Sequence, residues 1–413
     1  MNDRLRELEQ KALSAVEKRA AYGPDIDLNR YRNVGEHEKI EALESLSRQA
    51  REAAYMAGIE QNLERTAGTY MQLDSSVVFE QVQRAYGGQL ELLSTDEALA
   101  KYDGLPEYWW QAVPVDQDKY TARVALNQTH GYFIRVLPGQ KVERPVQACL
   151  LVAENFISQN VHNVIVVEEG AEVQVITGCT SITGVKEGLH IGVSEFYVKR
   201  GARLTFHMIH NWAENFHVRP RTGVIVEEGG VFVNNYVLVK PVGSLQTSPS
   251  VYLRGKASRA EINTIAYGMK RSVIDIGSRI VLEAQDTAGE SISRAVADDG
   301  SILYLRGMLV GKTDKRAKAH LDCRGILKSP LARIVAIPEL DADSSPECDL
   351  AHEAAVGPID QEAILYLMAR GLTEDEAVAT ITRGFMNIEL PGLPEALRRQ
   401  IDQVMEATLH RGL

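Results

Sequence analysis

Four residues able to bind a soft metal lie in one short stretch of this 413-residue chain. Cys323 opens the stretch in Asp322-Cys323-Arg324, and Cys348, His352 and Glu353 close it in Cys348-Asp349-Leu350-Ala351-His352-Glu353. Thiolate with imidazole or carboxylate suits iron or zinc, and these donors are the inventory of a metal or iron–sulfur site. The plainer reading of the same residues is a solvated loop with an incidental cysteine.

Other candidates are scattered. Cys179, in Thr177-Gly178-Cys179-Thr180, ends a strand pattern and reads either as a small buried residue or as a reactive thiol. Cys149 sits in the alternating run Val146 to Val152 and reads as core. His207 and His210 flank a strand leading to Asn211-Trp212; they form a metal pair or are satisfied strand histidines. Gly307-Met308-Leu309-Val310-Gly311-Lys312-Thr313 imitates a phosphate-binding loop, but it is one residue short and continues an alternating strand, so a nucleotide site is not expected there.

Composition narrows the classes. Net charge is −11, from 45 basic and 56 acidic residues, which argues against a nucleic-acid partner. Four cysteines in so long a chain are no disulfide framework, and none forms a C-x-x-C pair. Met1-Asn2-Asp3-Arg4-Leu5-Arg6 reads as a charged helix start, and no run of about 18 apolar residues suggests a membrane span. The expectation is a cytoplasmic protein with reduced thiols and no membrane partner.

The elements that must position these residues follow from periodicity. Residues 1–60 read as N-terminal helices, with Leu5, Leu8, Ala12 and Val16 on one face, a break at Gly23-Pro24, and a second amphipathic segment over 36–56. Residues 61–130 read as mixed, including a helix start near Ser94-Thr95. From 131 to 345 the period is two, and a unit recurs every 25 to 31 residues: strand, two charged residues, Gly-Ala or Gly-Gly, strand. It appears around Glu168-Glu169-Gly170-Ala171, Lys199-Arg200-Gly201-Ala202 and Glu227-Glu228-Gly229-Gly230. Such a repeat, without helix-length spacers, predicts a solenoid, and a parallel β-helix is favoured over a β-sandwich. Residues 346–413 read as a small helical domain, with Gly371 as a C-cap, Thr373-Glu374-Asp375-Glu376 as a capping box, and a last helix over 395–409.

The chain from about Val164 onward resembles the SufB/SufD scaffold proteins of the SUF iron–sulfur cluster assembly system. The resemblance rests on Ala351-His352-Glu353-Ala354-Ala355-Val356-Gly357, on Leu365 to Ala377, on Gly384-Phe385, and on Glu17-Lys18-Arg19-Ala20-Ala21-Tyr22-Gly23. Gly178-Cys179-Thr180, Asn211-Trp212 and His352-Glu353 lean toward SufB, whereas His210 replaces the usual glutamine and no N-terminal cysteine motif is present.

The resemblance implies a right-handed parallel β-helix whose C-terminal helices dock a SufC-like ABC ATPase. It implies Cys179 as acceptor of persulfide sulfur from a desulfurase, and Cys323, His352 and Glu353 as ligands of a transient cluster, with Cys348 a further candidate. Pairing of two scaffolds is implied, as a homodimer or a SufB/SufD-type heterodimer. Tyr366, Met368, Leu372 and Phe385, apolar on short helices, are the expected ATPase-binding residues. The chain itself is then a scaffold and not an enzyme; the residues do not decide for or against a flavin. Two other readings stay open: a structural SufD-like subunit, and a carbohydrate-active β-helix enzyme.

Overall fold

The computed structural model describes residues 2–103, 105–342 and 347–387, with 390, 393, 398–399, 402–403 and 406 beyond them. Helix α1 (Asn2–Ser14) lays Ala12 and Leu8 on the core, while Leu5 and Val16 stay exposed. The helix expected over 36–56 is shorter: α2 spans Arg48–Met56 and starts where Ser47 Oγ accepts a hydrogen bond from the Ala50 amide. Before it, the chain follows a sheet edge, the Ile40 amide donating to the Val78 carbonyl at 2.8 Å. An edge carbonyl satisfies that amide as well as a helix would, which sequence periodicity does not register.

The mixed region holds an antiparallel hairpin, Gly68–Leu73 with Ser76–Val82, and helices α3 (Thr95–Lys101) and α4 (Lys119–Leu126). The helix start read near Ser94 is a capping box with Glu97.

Beyond it, two parallel sheets wind into a β-solenoid of about eight turns. One sheet stacks the strands Glu172–Ser181, Arg203–Asn211, Val231–Leu238, Arg259–Gly268, Thr287–Ala297, Ala317–Leu327 and Cys348–Pro358 in that order. The corner glycines of the repeat, Gly170, Gly201 and Gly229, have φ of 67°, 64° and 64°. Their amides donate to carbonyls of the next coil, so each corner needs a left-handed residue at that point. The segment resembling a phosphate loop lies mostly in a regular strand, Ile302–Gly311.

Period two divides each strand between a lumen and an outer face. Val173, Val175, Cys179, Leu204, Phe206, Met208, Phe232 and Tyr236 face the lumen as one apolar core. On the outer face, Ile209, Val237 and Ile265 stack in register and are covered by Met386 and Leu390 from the C-terminal segment. Burying one such side chain stabilises by about 1.5–3 kcal/mol, enough to dock a short helical tail.

The solenoid runs past the expected boundary at 345. Cys348–Pro358, read as the entry to a helical domain, is a full strand paired along its length with Ala317–Leu327. The helices then follow: α5 (Gln361–Met368) and α6 (Glu374–Met386), the latter opened by the Thr373/Glu376 capping box, with Gly371 at φ 101° between them. The helix expected over 395–409 falls largely outside the described residues.

Candidate functional site

Cys179 sits near the end of its strand and points into the lumen, fully buried. Burial pushes its thiol well above the ordinary range, so it is protonated at neutral pH. Its Sγ lies 3.5 Å from Met208 Sδ on the neighbouring strand, and its register partner there is His210. His210 Nδ1 shares a 2.8 Å hydrogen bond with Tyr236 Oη, and the rings of His190 and Trp212 complete the surroundings. Burial holds His190 down at about 3 and His210 well below its usual value, so both imidazoles are neutral. Cys149 is buried too but belongs to a different cluster, against α2, and its thiol is pushed up to about 12 by burial.

From Met208 a single luminal file runs along the solenoid axis. Met208, Tyr236, Thr264, Ser293 and Cys323 are successive register partners on adjacent parallel strands. Five coil steps separate the Cys179 strand from the Cys323 strand, about 24 Å at the usual strand spacing. A cavity of about 30 Å³ interrupts the packing beside Met208, Tyr236 and Thr264. Sequence reading found both cysteines but not the residues between them. Their only signal was their place in successive copies of the repeat, at the same offset from the corner.

Cys323 is buried, and its thiol is pushed up to about 11, first by burial and then by the adjacent Asp322 carboxylate. Asp322 itself faces outward, bonded to Arg294 at 2.7 Å and Arg324 at 3.0 Å. On the last strand Leu321 pairs with His352, Asp322 with Glu353, and Cys323 with Ala354. His352 therefore shares the luminal side with Cys323, whereas Glu353 lies on the outer side and bonds Arg324 at 3.1 Å. Both are exposed, because no described strand pairs with the free edge of Cys348–Pro358 and no further coil covers its luminal side. Cys348 is half-buried on the luminal side, packed near Gly311, its thiol raised by burial and by Asp349.

Within one chain the four expected ligands do not converge. Among the described residues, the His/Cys/Asp/Glu group whose ligand atoms come within 4.8 Å of one another is a different one, His37, Asp74 and Glu154. There His37 and Asp74 are bonded at 2.7 Å, Asp74 accepts from the Ala153 amide, and Glu154 pairs with Arg32, so every member already has a partner. His207 and His210, read as a metal pair or as satisfied strand histidines, face opposite sides of their strand: His207 outward beside Gln174 and Asn235, His210 into the lumen.

Of the expected ATPase-binding residues, Tyr366 is 59% and Met368 38% exposed on α5, next to exposed Leu365. Leu372 is half-buried, and Phe385 packs against the outer-face column that anchors the tail.

A family model described as the SufBD core domain of SUF system FeS cluster assembly matches residues 150–385, more than half of the chain. The chain belongs to the SufBD family. It is 41% identical over 411 residues to an iron–sulfur cluster assembly SufBD family protein of Methanothermobacter thermautotrophicus strain Delta H, covering 98% of this chain and 99% of the relative. A SufBD family protein of Archaeoglobus fulgidus is 44% identical over 349 residues, 84% of this chain and 92% of that one. The iron–sulfur cluster assembly protein SufB of Bacillus subtilis is 28% identical over 333 residues, 79% of this chain and 71% of that one. The region matched as SufBD core encloses Cys179, the luminal file, the last coil and α5 with nearly all of α6. The assignment removes support for the carbohydrate-active reading. No helix among the described residues is long and apolar enough to cross a membrane.

Proposed function

We propose that this SufBD-family chain is a scaffold on which a transient iron–sulfur cluster, its cargo, is assembled with a SufC-like ABC ATPase. Sulfur arrives from a desulfurase as persulfide. The Cys179 thiol attacks the outer sulfur, and its proton passes to the released donor thiolate, so sulfane sulfur is conserved without a redox change. The sulfur then moves toward Cys323 along the lumen, where the Tyr236, Thr264 and Ser293 hydroxyls offer hydrogen bonds to a polar guest. Two scaffolds pair through their last coils, as a homodimer or a SufB/SufD-type heterodimer. Cys323 of one then faces His352 of the other, and pairing turns the exposed last strand so that Glu353, on its outer side here, joins them. The mixed donor set is weak enough to surrender the cluster.

The observation that carries this reading is the register file ending at Cys323, with Cys179 in sulfur contact with its first member. ATP-driven motion of the docked ATPase at α5 would strain the last coil and open Cys323, so hydrolysis is coupled to assembly without a nucleotide site in this chain. The test is anaerobic assembly with desulfurase, ATPase partner, iron and ATP, followed by the visible absorption of the cluster. Wild type should colour; Cys179→Ser and Cys323→Ala should not. A colourless wild type under these conditions, and under chemical reconstitution with sulfide, would favour the structural SufD-like role. The full burial of Cys179 is the feature that speaks for that second reading.

A further inference from the structure

We propose that Cys179, Met208 and His210 form a three-coordinate luminal site for a soft monovalent cation, Cu(I). The two sulfurs are already in contact at 3.5 Å. His210 is the register partner of Cys179 and shares its luminal face. Its Nδ1 is tied to Tyr236 on the far neighbouring strand, leaving the opposite edge of the ring outside that bond. That edge carries Nε2, which is buried and has no hydrogen-bond partner among the described residues. A buried ring nitrogen without a partner is costly, and a metal ion satisfies it. The cavity of about 30 Å³ that Met208 lines, away from Cys179 and His210, leaves its flexible side chain room to adjust.

The donor set selects the ion. Thiolate and thioether together favour Cu(I), whereas zinc sites draw on cysteine, histidine and carboxylates. Charge agrees: one thiolate with Cu(I) is neutral, but with a divalent ion it would leave a net charge in a dry lumen. Burial keeps the His210 imidazole neutral and ready to bind, and keeps Cys179 protonated, so loading must displace one proton. A Cu(I) complex of a small thiolate supplies the metal. The Cys179 S–H bond breaks, a Cys179 S–Cu bond forms, and the proton leaves on the released thiol; copper stays Cu(I) throughout. The site stands whether or not Cys179 receives sulfur.

The test is anaerobic titration of the reduced full-length protein with Cu(I) buffered by bicinchoninate, with copper K-edge absorption to count donors. Wild type should take Cu(I) from the chelator into a site of two sulfurs and one nitrogen. Met208→Leu, which conserves volume, should lose one sulfur and bind at least about tenfold more weakly. Cys179→Ser should lose the site, and Cys348→Ser should keep it. Should Cys179→Ser fail to fold by circular dichroism, Met208→Leu and His210→Gln carry the test. The proposal is overturned if wild type takes no Cu(I) from bicinchoninate, or if binding is the same in Met208→Leu and Cys179→Ser as in wild type.

Discussion

Cys323 faces Ala354 across the last pair of coils, so a single strand, Cys348–Pro358, separates this buried thiol from the open end of the solenoid. Among the described residues no strand pairs with its other edge, and such an edge is the kind that pairs with another chain. The same strand leaves α5 only two residues after it ends. A pull on α5 is therefore delivered to the strand that covers Cys323.

The first prediction concerns that cover. Cys323 should react slowly with a thiol probe in the resting ATPase complex and faster when ATP is bound. Because its thiol is held up at about 11, the resting rate should rise about tenfold per pH unit between pH 7 and pH 10, following the thiolate fraction. Mass spectrometry of the labelled peptide reads both effects. Equal labelling with and without ATP would remove the proposed coupling.

A second prediction concerns docking. Tyr366→Ala with Met368→Ala removes only exposed groups, so thermal stability should change little while ATPase binding falls by at least about tenfold, as for anchors at an interface. Phe385→Ala should do the reverse in part, costing about 1–2 kcal/mol of stability through its packing on the outer face. Calorimetry and a pull-down with the ATPase separate the two. Truncation after Gly357 is the poorer test, because it strips the cover from Ile209, Val237 and Ile265.

Acid should weaken the fold through two buried histidines. His190 is held at about 3 and His217 at about 4 by burial, against about 6.5 in the unfolded chain. Depressed values favour the neutral form in the folded state. That stability is fully present above about pH 6.5 and is lost as pH falls toward 3, since the unfolded chain takes up protons first. Urea unfolding at pH 7.5 and pH 5 should give a lower midpoint at pH 5, and His190→Gln should shrink the difference. An unchanged gap in that variant would show that His190 does not contribute.

Cys179→Ser separates chemistry from structure. The variant should fold, bind its partners and fail to assemble a cluster from the desulfurase, while reconstitution with free sulfide is affected less. Equal loss by both routes would make Cys179 a packing residue.

Much of this was legible in the sequence, for a physical reason. The Glu-Glu-Gly-Ala corners need a left-handed glycine at each turn, so a local signal repeats with the coil. Capping boxes at Ser94 and Thr373 are equally local. The last coil was missed because His352 and Glu353 interrupt the apolar alternation where no further coil covers it, so polar residues are tolerated on both faces. The luminal file was missed because its members are 28 to 30 residues apart and ordinary in type. Thr264 and Ser293 acquire meaning only from the register that stacks them between Tyr236 and Cys323. Of the two readings of His207 and His210, period two removes the metal pair, since three steps along a strand reverse the face.

The central claim is a cluster site shared between two subunits, and mixing two inactive variants tests it most directly. In a self-paired scaffold, Cys323→Ala and His352→Ala should each abolish cluster binding while dimerisation survives. A mixed dimer then carries one site with both defects and one with neither. Cluster absorption should return to about half of the wild-type value per mixed dimer, as expected for independent sites. No recovery, in mixed dimers shown to form by mass spectrometry, would contradict the account and mean that the two residues do not meet across the interface.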